Sequence, residues 1–139
     1  MMNDSSVFKA DIAQFIEMLR DPNATVNDRV DACHKLGLAS GREAIEALIQ
    51  SLDDDSVSVR WAAAEALLHH GYNVLEPLLQ ALSTRHSTYL YEGAHHILVR
   101  IPGPATRAVL QPVIDALESV GASAAVPVAA SRALAELRT

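Results

Sequence analysis

One pair of residues, an alanine followed four positions later by a leucine, returns four times in this chain: Ala32/Leu36, Ala63/Leu67, Ala94/Leu98 and Ala130/Leu134. The copies stand 31, 31 and 36 residues apart, inside the range of periods that marks stacked structural repeats. A second signature lies between them, apolar at i, i+3, i+4 and i+7. It reads Ile12, Phe15, Ile16, Leu19, then Ile45, Leu48, Ile49, Leu52, then Leu75, Leu78, Leu79, Leu82, then Leu110, Val113, Ile114, Leu117. Spacings of three and four gather these residues on one side of a helix, and no stretch alternates apolar and polar residues as a strand would.

With the Ala/Leu helices called A and the four-apolar helices B, the order is B, A, B, A, B, A, B, A. About eight short helices are expected. Alanine at a contact lets a neighbouring backbone approach, and the leucine one turn later fills the remaining space. A single helical pair cannot cover its own apolar faces, whereas stacked copies cover one another, so the pattern predicts an all-α solenoid of about four pairs.

The boundaries carry recognisable punctuation. Ser5 or Ser6 precedes the first helix, Asp21-Pro22 follows it, and Thr25 stands three residues before Asp28 as in a capping box. Gly37 and Gly41 bracket the next turn, and Ser56 is placed to cap a helix starting near Val57, with Asp53 to Asp55 at its positive end. Gly71, Pro102-Gly103-Pro104 and Gly121 mark later breaks, and the five extra residues of the last spacing are assigned to the Pro-Gly-Pro connection. Pro77 falls in the first turn of its helix, where the missing N–H costs little; Pro112 falls deeper and is expected to kink its helix.

A length of 139 residues with 50% hydrophobic content suits one domain, residues 1–139. The net charge of −6 is unevenly placed: residues 1–60 hold 11 acids and 6 bases, residues 61–139 hold 6 and 5. With no basic run or basic face, nucleic acid and anionic membrane are disfavoured as partners. No apolar stretch approaches membrane-spanning length, the N-terminal MMNDSSVFKA lacks the pattern of a signal peptide, and Cys33 is the single cysteine. A cytoplasmic location is the expectation.

The segments VRWAAAEAL, Val59 to Leu67, and EPLLQAL, Glu76 to Leu82, resemble the two helices of a HEAT repeat of the short, phycobilisome-lyase-like type. The resemblance covers nearly the whole chain and implies a right-handed α-solenoid of four HEAT-like pairs. Arg29 and Arg60 occupy the arginine position that often precedes the A helix in such repeats, but the third and fourth copies carry Tyr91 and Pro127 there. The second half is therefore expected to stack less regularly. The family includes deoxyhypusine hydroxylase, whose iron is held by His-Glu pairs directly after that arginine. The corresponding pairs here are Val30-Asp31, Trp61-Ala62, Glu92-Gly93 and Val128-Ala129, so that activity is not implied.

A helical wheel places Trp61, Glu65 and His69 on the side of their helix opposite Ala63 and Leu67, and Glu92 and His96 on the matching side of the next A helix. These five form one candidate partner-binding face. The spacings from Glu65 to His69, Glu92 to His96 and Glu92 to His95 suit metal ligation, but they also arise wherever polar residues cover a solvated helix face, and no metal is assigned. The adjacent histidines have no paired Ser or Cys nucleophile in a recognisable motif, so no catalytic residue is assigned either. On the B helices, Glu17, Glu46, Gln50, Glu76, Gln80, Gln111 and Asp115 point away from the apolar stripe. The resemblance places B helices on a concave side, which implies a groove floored by carboxylates and amides, suited to a protein bearing basic or amide-rich contacts.

The function expected is thus a non-catalytic interaction module or scaffold without a cofactor. The alternative is a subunit related to bilin lyases, with Trp61, Tyr89, Tyr91 and His95 as possible contacts to a flat tetrapyrrole; a metal-dependent enzyme is third. The last A helix carries Ala130, Ala133, Leu134 and Leu137 on a stripe that no following B helix covers. That end is expected to be capped by a partner or by self-association through the C-terminal helix.

Overall fold

The computed structural model describes residues 5–139, with side chains from residue 11 onward. Among the described residues the chain forms eight α-helices, one short 3-10 turn and no strand, as the repeat pattern predicts. The helices are α1 (Ser5–Arg20), α2 (Val26–Gly37), α3 (Arg42–Ser51), α4 (Val57–Leu68), α5 (Leu75–Thr84), α6 (Thr88–Leu98), α7 (Pro104–Leu117) and α8 (Ala122–Leu137), with the 3-10 turn at Gly71–Val74. The expected cap at Ser5 or Ser6 lies outside the residues whose side chains are described. Each Ala/Leu pair sits in an even-numbered helix and is buried, and each four-apolar set sits in or at the end of an odd-numbered one. The set in α1, which packs mainly against α2 and α3, is only half-buried.

The chain divides into two compact units, Met1–His69 and His70–Thr139. In the first, α2 packs along α4, and α1 and α3 close their inner flanks. The approach of α2 to α4 is closest at Gly37, where a Cβ would stand 3.0 Å from both Cα and Cβ of Ala66. Gly37 therefore serves as a contact residue in the last turn of α2, and Gly41, at φ +113°, makes the turn into α3. Thr25 caps α2 as expected, its hydroxyl accepting the Asp28 N–H at 3.0 Å. Ser56 occupies the cap position of α4 without using its hydroxyl; the Asp54 carboxylate instead accepts the Ser56 N–H at 2.9 Å and ties down the loop.

Both Arg29 and Arg60 hold that loop. Arg29 pairs with the Asp54 carboxylate and donates to the Ala24 carbonyl, while Arg60 donates to the carbonyls of Asp54 at 2.7 Å and Asp55 at 3.2 Å. One repeat later the residue corresponding to Asp54 is Arg85, so the same pairing is not built twice.

The second unit is organised differently. α8 lies along both α5 and α7, whereas the α2-on-α4 contact has no counterpart between α6 and α8. Arg138, just past α8, reaches Glu76 in the first turn of α5 at 3.1 Å. This arrangement covers the stripe expected to be open: Ala130, Ala133 and Leu134 are buried, and of that set only Leu137 remains exposed. The five extra residues lie mostly in α7, which has 14 residues where α3 and α5 have 10, and not in the Pro-Gly-Pro connection. α7 continues through Pro112, which leaves the carbonyl of Ala108, an exposed residue, to water.

Candidate functional site

On the outer side of the first unit, α2 and α4 present residues that recur at the 31-residue period: Val26 with Val57, Val30 with Trp61, His34 with Glu65 and Leu38 with His69. Val57 and Trp61 are one turn apart on α4 and are 56% and 53% exposed; Val26, starting α2, is 40% exposed. The reason is the register of the A helices. Ala63 and Leu67 must face inward, which turns positions 57, 61 and 65 outward whatever residue fills them. Filling two of those places with valine and tryptophan leaves an apolar patch on the surface, with the exposed Glu65 and His69 continuing the same face. The helical wheel singles out Trp61, Glu65 and His69 but not the valines, although the 31-residue register pairs Val26 with Val57.

Glu92 and His96 lie on α6 in the second unit, exposed and half-buried respectively. There, the N-terminus of α6, the end of α7 and the start of α8 border an open cleft of about 770 Å³. His95 Nε2 stands 2.7 Å from Glu118 Oε2 at its edge, and the Tyr91 hydroxyl lies 3.3 Å from His86 Nδ1. Partial burial raises the pKa of the Tyr91 hydroxyl above its ordinary value. Ser87 caps α6 by accepting the Leu90 N–H at 3.2 Å. Glu92 also lines the cleft, whereas Tyr89 is exposed outside it. His86 and Glu118 were missed because each lies in or next to a connection, where helical periodicity carries no information. Among the described residues no group of three or more His, Cys, Asp or Glu side chains is placed to hold a metal ion.

The B-helix candidates divide between the units. Glu17 of α1 and Glu46 and Gln50 of α3 are exposed in the first, and Glu46 is held by Arg42 at 3.0 Å. In the second, Gln80 is exposed, Gln111 donates to Asp115 at 2.9 Å, and Glu76 is drawn to Arg138. Glu76 therefore fastens the end of the chain to α5. Several of these polar side chains thus already have a partner within the chain.

The sequence pattern of HEAT repeats matches residues 12–98, well over half of the chain. The chain belongs to the HEAT-repeat family. Neither a curated protein nor a solved structure matches it. HEAT repeats point to a protein-interaction scaffold, and the matched segment contains the whole α2–α4 face. No helix among the described residues is long and apolar enough to cross a membrane.

Proposed function

We propose that this HEAT-repeat chain is a non-catalytic interaction module that binds a protein partner on the outer face of α2 and α4. The observation that carries the reading is the exposure of Trp61 one turn from the exposed Val57 on α4, with Val26 exposed at the start of the neighbouring α2. A large aromatic side chain ringed by smaller apolar ones is the usual centre of a binding hot spot. Glu65 and the acidic balance of residues 1–60 favour a partner segment with aliphatic anchors flanked by lysine or arginine. Glu92 and His96 carry the corresponding positions of α6. The column Glu17, Glu46, Gln50, Glu76, Gln80, Gln111 and Asp115 is a secondary contact in this reading, because Glu46 and Glu76 already meet arginines. A cytoplasmic location is part of the reading, supported by one free, buried cysteine.

Affinity capture from the native organism, followed by titration of the captured protein, tests it. Trp61→Ala is expected to weaken binding about thirtyfold, as loss of a central anchor does, and Glu46→Lys by much less. Unchanged affinity in both Trp61→Ala and Val57→Asp would refute the assignment of this face.

The cleft favours one second reading. Its volume falls within the range of small-molecule sites, and Tyr91, His86 and His95 offer flat and hydrogen-bonding surfaces to a tetrapyrrole. That supports a role related to the bilin lyases. Titration with free bilins should then change their absorbance, and an unchanged spectrum at saturating protein discards this reading.

A further inference from the structure

The outer sides of α7 and α8 enclose a second groove, of about 690 Å³, within the second unit. Its floor is apolar and shallow, formed by Val109, Pro112 and Ala116 of α7 and by Ala125, Val128 and Ala129 of α8. Val128 is 53% exposed. The flanks are charged: Asp115 stands on α7, and α8 carries Arg132 with Glu136 one turn beyond it. Asp115 is engaged only by the Gln111 amide, and the Arg132 guanidinium makes no hydrogen bond or ion pair among the described residues.

We propose that a second copy of this chain occupies the groove, with α8 packed antiparallel against the partner's α8 about a two-fold axis near Val128 and Ala129. The complementary charges set the register. The groove's α8 residues run from Ala124 to Glu136, and an axis between Val128 and Ala129, slightly N-terminal of their middle, brings Arg132 opposite the partner's Ala125. Counted back from the turn between α7 and α8, Asp115 and Ala125 stand at similar heights on the hairpin. Arg132 thus meets the partner's Asp115, and the symmetry makes the same pair twice. An isologous interface requires one patch to carry both members of each complementary pair, and this patch does so. Ala125 and Ala129 let the two helices approach closely, and Val128 is covered at the centre. The groove shares Ala133 with the stripe of Ala130, Ala133 and Leu134 that packs on α5 and α7, and its other α8 residues lie outside that stripe.

Sedimentation of the full chain from low micromolar to near-millimolar concentration tests the proposal, with circular dichroism confirming that each variant is folded. The wild type is expected to show a reversible monomer–dimer equilibrium. Arg132→Asp and Asp115→Arg should each raise the dissociation constant by at least about tenfold, since each places like charges across the axis twice. An equimolar mixture of these two variants should recover dimer, because the heterodimer pairs every charge again. Val128→Glu should abolish dimer without affecting the charge pairs. A wild type that stays monomeric throughout, a dimer indifferent to all three substitutions, or a mixture no more dimeric than its components would each overturn it; the first would leave the groove to another occupant.

Discussion

Arg29 holds Asp54 by two hydrogen bonds across 25 residues of sequence, Nε to Oδ2 at 3.1 Å and Nη2 to Oδ1 at 3.3 Å. Both side chains are about 85% buried by the relative exposures of 15% and 14%. The pair joins the start of α2 to the loop before α4, and the same carboxylate fixes the Ser56 N–H. Removing one partner leaves a poorly solvated charge, so Arg29→Ala or Asp54→Asn is expected to lower stability by about 2–3 kcal/mol. Chemical unfolding of both single variants and of the double variant measures this. The double variant should cost clearly less than the two singles added together, and strict additivity would show that the pair contributes nothing of its own.

The Arg29–Asp54 pair also marks where sequence reading stops. The Ala/Leu and four-apolar periods place every helix, because burial is decided by spacings of three and four that any one helix displays. Arg29 stands out through the resemblance to HEAT repeats, which marks an arginine three residues before the Ala/Leu pair. Asp54 does not, since three aspartates follow one another in a loop and only the three-dimensional fold of that loop selects one. The packing of α8 on α5 is hidden likewise: Leu134 reads as an exposed edge when helices are assumed to stack in order, and becomes buried once Arg138 reaches Glu76, 62 residues away. The proposed binding face is half legible. Trp61 and Glu65 follow from the wheel, whereas His86 and Glu118 join the cleft through connections that carry no period.

Gly37→Ala should destabilise the first unit even though alanine is the better helix former. The added methyl would meet Ala66 at 3.0 Å, and both contacting atoms are tied to the α4 backbone. Overpacking of this kind costs about 1–3 kcal/mol, and the gain in helix propensity of about 1 kcal/mol offsets only part of it. A lowered midpoint of thermal unfolding is expected. Ala66→Gly in the same chain should recover part of the loss, which a simple propensity effect would not allow.

The buried Cys33 thiol makes stability fall at alkaline pH. Burial foremost, with the neighbouring Asp54 charge adding to it and Arg29 opposing, lifts its pKa from the ordinary 9.0 up to about 12. Above pH 9 the unfolded chain releases this proton while the folded chain keeps it. The unfolded state then gains about 1.4 kcal/mol per pH unit until the folded thiol also ionises. Stability should therefore be level with respect to this group below pH 9 and decline between about pH 9 and 12. Cys33→Ala should flatten that part of the curve in unfolding measurements across the range. The native thiol should also resist alkylation at neutral pH, because little thiolate is present and the sulfur is buried.

Gly103 closes the connection between α6 and α7 at φ +104° and ψ +129°, a combination open to glycine and closed to other residues. The Tyr72 hydroxyl donates to the neighbouring Pro102 carbonyl at 2.8 Å, and it stands 3.2 Å from where a Cβ at position 103 would lie. Gly103→Ala therefore meets two obstacles, backbone strain and a close contact. The strain should dominate, costing about 1–3 kcal/mol, because the hydroxyl sits at the end of an exposed side chain that can shift by a few tenths of an ångström. Measured by chemical unfolding, Gly103→Ala should cost nearly the same in the wild type as in a Tyr72→Phe background. Tyr72→Phe alone should cost about 1 kcal/mol or less, the loss of one partly solvated hydrogen bond. Gly103→Asn should give no rescue, since asparagine tolerates the left-handed helical region and this ψ lies well outside it. If Tyr72→Phe removed most of the cost of Gly103→Ala, the glycine would be present for space and not for conformation.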